Sequence, residues 1–217
     1  MRLRDLFGIS PATQRRLTWL MEVMLVGLLF VGLERGSPGI VVNAAVALAV
    51  TQLPPLLERD YEVHIDPGIV LWLTTAVFLH ALGTVGLPGA EESFYRSVWW
   101  WDHLTHALSS SVVAGVGYAV VRAIDVHSDA VVLPRRFLVV FLLVFVVAFG
   151  VFWEVIEFVL GELAAALGTG KVLTQYGLDD TMLDLAFDLV GAVVVAVWGT
   201  AHLSGLVETV ARRFETG

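Results

Sequence analysis

Six apolar segments, at about 16–34, 39–57, 68–87, 102–124, 136–160 and 181–205, are each close to the roughly 20 residues that a helix needs to cross the ~30 Å hydrocarbon layer of a bilayer. Lipid offers the backbone no hydrogen-bond partner, so such segments are expected to be helices throughout. The expected fold class is therefore all-α: a polytopic membrane protein of six transmembrane helices, built as a single membrane domain over residues 1–217. Composition agrees. The chain is 57% hydrophobic with a mean hydropathy of +0.80, above the ~45–50% apolar share of soluble domains. It has no cysteine, which excludes disulfides and thiolate metal sites. A net charge of −8 makes nucleic acid an unsuitable partner. The expected partner is the lipid bilayer, with a lipid or envelope molecule as substrate.

The basic residues orient the spans. With the N-terminus inside, the inner segments hold Arg2, Arg4, Arg15, Arg16, Arg59, Arg122, Arg135, Arg136, Arg212 and Arg213, and the outer segments only Arg35, Arg96 and Lys171. That bias predicts both termini in the cytoplasm and a location in the plasma (inner) membrane. Residues 1–14 read as a short cytoplasmic segment, and the first span as a retained anchor. Pro54-Pro55 is expected to end the second span, while Pro67-Gly68 and Pro134 precede the third and fifth.

Against this apolar background stand three ionisable clusters: Asp102, His103 and His106; Glu154 and Glu157; and Asp180, Asp184 and Asp188. Charged groups at membrane depth are costly and mark functional sites. In the predicted orientation all three lie toward the outer side. Asp188 falls roughly 12 Å further in than Asp180, and His80 in the third span reaches a similar depth. Asp102 and His106 share a helix face, whereas His103 is turned about 100° from Asp102 and is expected to point elsewhere. Asp180, Asp184 and Asp188 form one stripe that Gly191 continues, with room there for close helix packing.

Several of these residues admit a plainer role. Asp102 could be a helix N-cap, and Glu157 could be solvated at the boundary. Trp99, Trp100 and Trp101 read as an interfacial aromatic belt. Ser109, Ser110 and Ser111 read as packing residues, with a serine nucleophile beside His106 as the alternative. Glu22 can snorkel near the inner side. His64, His127 and His202 read as surface or packing residues. Lys171, the only lysine, falls in an outer loop, so no retinal Schiff base is expected within a span.

Aspartate, glutamate and imidazole together suit a divalent cation of the Mg²⁺, Mn²⁺, Fe²⁺ or Zn²⁺ kind, which the spacing does not distinguish. The candidate ligands are His80, Asp102, His106, Glu154, Glu157, Asp180, Asp184 and Asp188, with Glu154, Asp184 and His106 as the expected catalytic residues. Two close glutamates need a cation, a histidinium or a shared proton between them.

From about Pro54 to Gly199 these motifs resemble the YjdF type of prokaryotic inner-membrane proteins. The matching residues are His80, Asp102, His106, Glu154, Glu157, Gln175, Gly177, Asp180, Thr181 and Asp184. Trp101 and Trp153 stand where that family carries tyrosine, and the loop QYGLDDT is spaced differently. The last three spans are more loosely similar to VanZ-like proteins. The acid stripe also resembles the aspartates of CDP-alcohol phosphotransferases, without their Asp-Gly-x-x-Ala-Arg motif. Three functions remain open: a metal-dependent hydrolase or transferase acting on a lipid or envelope molecule, a transporter or ion-binding protein using the same carboxylates, and a non-catalytic subunit with a structural polar network. The first two spans are expected to form a packing flank, and the last four to build the site.

Overall fold

Ser-Pro and Asp-Pro pairs start three of the long helices, because the proline ring suits the first helical turn and the residue before it caps the free N–H groups. In a computed structural model describing residues 9–61, 65–87, 89, 92–127, 132–173 and 175–215, these helices are α1 (Pro11–Glu34), α2 (Pro38–Thr51) and α4 (Pro67–Gly83). Ser10 Oγ accepts from Thr13 N at 3.1 Å, and Asp66 Oδ1 accepts from Gly68 N at 2.8 Å. Helix α3 (Leu53–Tyr61) lies between α2 and α4. The remaining helices are α5 (Phe94–Ser97), α6 (Trp101–His127), α7 (Arg135–Leu167), α8 (Leu178–His202) and α9 (Ser204–Glu215). No strand occurs among the described residues.

Five stretches are long and apolar enough to cross a membrane: Pro11–Glu34, Pro38–Asp60, Trp101–Val126, Arg135–Leu167 and Leu178–Gly199. The expected third span is a shorter apolar helix of 17 residues, α4. The second segment also departs from expectation. Pro54-Pro55 does not end it; the helix breaks at Gln52 and resumes to Tyr61. The two prolines lack the N–H groups that would serve the carbonyls of Val50 and Thr51, yet their fixed φ is compatible with the first turn of α3. Helix α7 runs on to Leu167, past the expected end near 160, and Gly168 stops it at φ 65° with its N–H on the C-terminal carbonyls. The last segment is α8, and the separate α9 follows it. Residues 1–8, His64 and the final two residues lie outside the described set, as do the side chains of His127 and His202.

Packing follows two groups. Leu25, Ala47, Phe78 and Ala81 join α1, α2 and α4. Ala114, Tyr118, Ala119, Leu142, Val146, Ala192, Val195, Leu203 and Val207 join α6, α7, α8 and α9. Helices α4 and α6 link the groups, and α6 and α8 share the most extensive contact. Gly191 permits that contact, as expected. A Cβ there would collide with Ser110 Oγ and the Ala107 carbonyl, and would stand 2.7 Å from Ser111 N. The serines themselves are packing residues: Ser110 Oγ donates to Ala107 O at 3.2 Å, and Ser111 Oγ receives Trp72 Nε1–H at 3.1 Å.

Candidate functional site

The close α6–α8 contact carries the acid and histidine clusters into each other. Asp102 is inside the first turn of α6, not at its N-cap, and stands 3.7 Å from His106 Nε2. From α8, Asp184 Oδ1 approaches the same nitrogen at 3.8 Å. Asp188 Oδ1 lies 3.3 Å from the other ring nitrogen, Nδ1. Asp102, His106 and Asp184 each offer one ligand atom within 4.8 Å of the others, the one such group among the described residues.

These separations are informative. At 3.7 and 3.8 Å the pairs are too far apart to be hydrogen-bonded. They match the spacing of two ligands on one small cation, which at bonds of ~2.0–2.2 Å stand about 3–4 Å apart. Asp184 is 2% exposed, and its Oδ1 has no hydrogen-bond partner. His103 Nδ1 and Glu154 Oε1 are in the same condition. Buried polar atoms are almost always paired; here the unpaired Asp184 Oδ1 and His103 Nδ1 stand 3.9 Å from each other.

His103 corrects the expectation that it points elsewhere. It faces α8, with Nδ1 3.9 Å from Asp184 Oδ1 and its ring stacked on Phe187 at 4.5 Å. The aromatic belt also divides. Trp99 is 81% exposed, but Trp101 donates from Nε1 to Leu79 O at 3.2 Å and stacks on Phe94.

The glutamates of α7 are both buried and take separate partners. Glu154 Oε2 accepts from Thr181 Oγ1 at 2.7 Å and Gln175 Nε2 at 3.1 Å, which ties α7 to the entrance of α8. Glu157 Oε1 accepts from Trp153 Nε1 at 3.0 Å. Asp180, in the first turn of α8, accepts from Tyr176 N at 2.9 Å and so closes the preceding loop. His80 meets the Tyr95 hydroxyl at 2.8 Å through Nδ1, and Trp153 edge-on.

Two adjoining cavities open beside the cluster. One, of about 150 Å³, is lined by His80, Asp102, Glu157 and Lys171 with residues from α2 and α5. The other, of about 340 Å³, is lined by Glu92, Arg96, Trp99, His103 and Asp180. Tyr95, Asp102 and Tyr176 line both. Burial pushes the Tyr95 phenol well above its ordinary range. Burial also raises Tyr176, with Arg96 pulling it back. Both hydroxyls therefore stay protonated near neutral pH.

The cavities bring in residues that sequence reasoning passed over: Ser37, Gly39 and Asn43 of the α2 region, Tyr95 of the short α5, and Tyr176 of the loop before α8. Of the first two long helices, α2 is thus not merely a packing flank. Asn43 carried a readable signal, a lone amide inside an apolar helix.

An all-helical chain with five membrane-length helices and a buried acid–histidine cluster defines a polytopic membrane protein. More particularly, the chain belongs to the family described as "Predicted membrane protein (DUF2238)", whose model matches residues 16–205. It is 35% identical over 147 residues to an uncharacterized protein of Thermotoga maritima, an alignment covering 66% of this chain and 67% of that protein. No solved structure matches it.

Proposed function

We propose that this protein is a divalent-cation-dependent hydrolase or transferase of the plasma membrane, acting at the outer leaflet on a lipid or envelope molecule. The carrying observation is the Asp102–His106–Asp184 group, with ligand-like spacing and an orphaned, buried Asp184 Oδ1. The donor set of two carboxylates and one imidazole suits Mg²⁺, Mn²⁺ or Zn²⁺. Such a cation, when bound, supplies Lewis acidity and an activated water. Asp102, Asp184 and His106 Nε2 hold it. Asp188 accepts the Nδ1–H of His106 and so directs Nε2 toward the two other aspartates. Glu154, anchored through Oε2, keeps Oε1 available to take a proton from water or a substrate hydroxyl. Of these residues, the YjdF-type resemblance falls on Asp102, His106, Glu154 and Asp184.

The topology belongs to the same reading. Six spans result if α4 crosses as well, its 17 residues reaching about 25 Å, at the short limit for a span. The basic bias then places both termini inside and the cluster outside. A proton or cation relay would continue through the bundle. The next core residues along α8, Ala192 and Val195, instead pack with Ala114 and Val146 in an apolar core. A purely structural network would satisfy its own members, which Asp184 Oδ1 argues against.

Elemental analysis after chelator-free purification, with melting curves in added Mg²⁺, Mn²⁺ or Zn²⁺, tests the proposal. Stoichiometric metal, or a rise in melting temperature that Asp184→Asn abolishes, is expected. No metal and no shift with any of the three ions would replace this reading by the polar-network one.

A further inference from the structure

Resting on that reading, we infer that the two adjoining cavities form one cleft for a phosphate-bearing ligand, gripped by Lys171 and Arg96 together with the cation of the Asp102–His106–Asp184 group. In the orientation proposed above, the outer side has only three basic residues, Arg35, Arg96 and Lys171. Two of them line this cleft, Lys171 in one cavity and Arg96 in the other. Between them lie Tyr95, Asp102 and Tyr176, the residues common to both walls. The single lysine of the chain is therefore placed against a site otherwise dominated by carboxylates.

Its placement is built rather than incidental. Asn43, 6% exposed, donates through Nδ2 to Val172 O at 2.9 Å and to Gly39 O at 2.8 Å. That amide pins the loop next to Lys171 onto α2. At Gly39 a Cβ would stand 2.8 Å from the Lys171 carbonyl, so the close approach requires glycine. Arg96 is also held, its guanidinium 5.6 Å over the Tyr176 ring. The hydroxyls of Ser37 and Ser93 add donors around the lysine cavity.

Charge decides the order of binding. Asp102 and Glu157 line one cavity with Lys171, while Glu92, Asp102 and Asp180 line the other with Arg96. Carboxylates outnumber cations in each wall, so the two basic residues alone do not attract an anion. A divalent cation at Asp102 reverses that balance. A phosphate group has enough oxygens to reach the cation, Lys171 and Arg96 separately, which a carboxylate with two does not. Cation and ligand then reinforce each other's binding, as linkage requires.

The test uses the full-length protein in dodecyl maltoside, with calorimetric titration of Mn²⁺ followed by dihexanoyl phosphatidic acid or glycerol 3-phosphate. Binding of either compound is expected with Mn²⁺ present and at least about tenfold weaker without it. Binding of the lipid alone identifies a headgroup, and binding of glycerol 3-phosphate a soluble ester. Lys171→Gln and Arg96→Gln should each weaken that binding about tenfold or more, the scale of one charge-assisted contact, with Mn²⁺ affinity unchanged. If Mn²⁺ binds but neither phosphate compound does, or if both variants bind like the parent, this inference is overturned and the cation site stands. If Mn²⁺ does not bind, and neither Mg²⁺ nor Zn²⁺ binds in its place, the proposed function falls, and this inference with it.

Discussion

Asp188 Oδ1 stands 3.3 Å from His106 Nδ1, while the opposite ring nitrogen looks toward Asp102 and Asp184. One carboxylate of α8 therefore orients the imidazole of α6, and another, one turn away, shares the imidazole's free edge. A partner on the second nitrogen fixes both ring rotation and tautomer of a metal-binding histidine. Asp188→Asn is expected to lower divalent-cation affinity by about 10–100-fold while the protein remains folded. Calorimetric titration of Mn²⁺ reads it. Unchanged affinity would remove Asp188 from the site.

The orientation has its own test. Cysteines introduced at Arg35 and Lys171, in a chain that has none, should react with a membrane-impermeant maleimide added to intact cells. A cysteine placed after Gly217 should react only in opened membranes. Reaction of the Lys171 position from the cytoplasmic side alone would invert the site and end the outer-leaflet reading.

The α6–α8 contact makes a packing prediction. Gly191→Ala would drive a methyl into Ser110 and the Ala107 carbonyl, and overpacking of this kind costs about 1–3 kcal/mol. Gly161→Ala, in the same fold but with nothing within 4 Å of the added carbon, should be neutral or stabilising, since alanine is the better helix former by up to ~1 kcal/mol. Melting temperatures in detergent separate the two. Equal effects would mean that α6 and α8 do not approach as described.

Much of this arrangement was legible in the sequence, and its gaps have physical causes. Hydropathy located the long helices because span length is set by the bilayer. Helical spacing placed Asp184 and Asp188 on one face because the period is local. Neither says which side chains meet across helices. Thus Glu154, grouped by depth with His106 and Asp184, takes Gln175 and Thr181 as its direct partners, and His103, judged from its own helix alone, turned out to face Phe187 and Asp184. Tyr95 carries no such signal, because a tyrosine between two spans gives no sign of depth. The break at Gln52 was readable in principle, from the two donors that Pro54 and Pro55 remove.

Tyr95 supplies a pH dependence whose sign can be worked out. Burial holds its phenol well above the ordinary tyrosine value of about 10. Between that value and the folded one, the folded chain keeps a proton that the unfolded chain has lost. Unfolding free energy then has a negative slope with pH, so this contribution is complete below pH ~10 and is lost as pH rises above it. Tyr95→Phe also removes the hydroxyl contact to His80, so the variant should start less stable at pH 8. It should then lose less than the parent between pH 8 and pH 11, because Tyr176 and Lys171 are present in both. Melting temperatures across that range give the comparison. Parallel curves would show that Tyr95 titrates as an exposed phenol and is not buried beside His80.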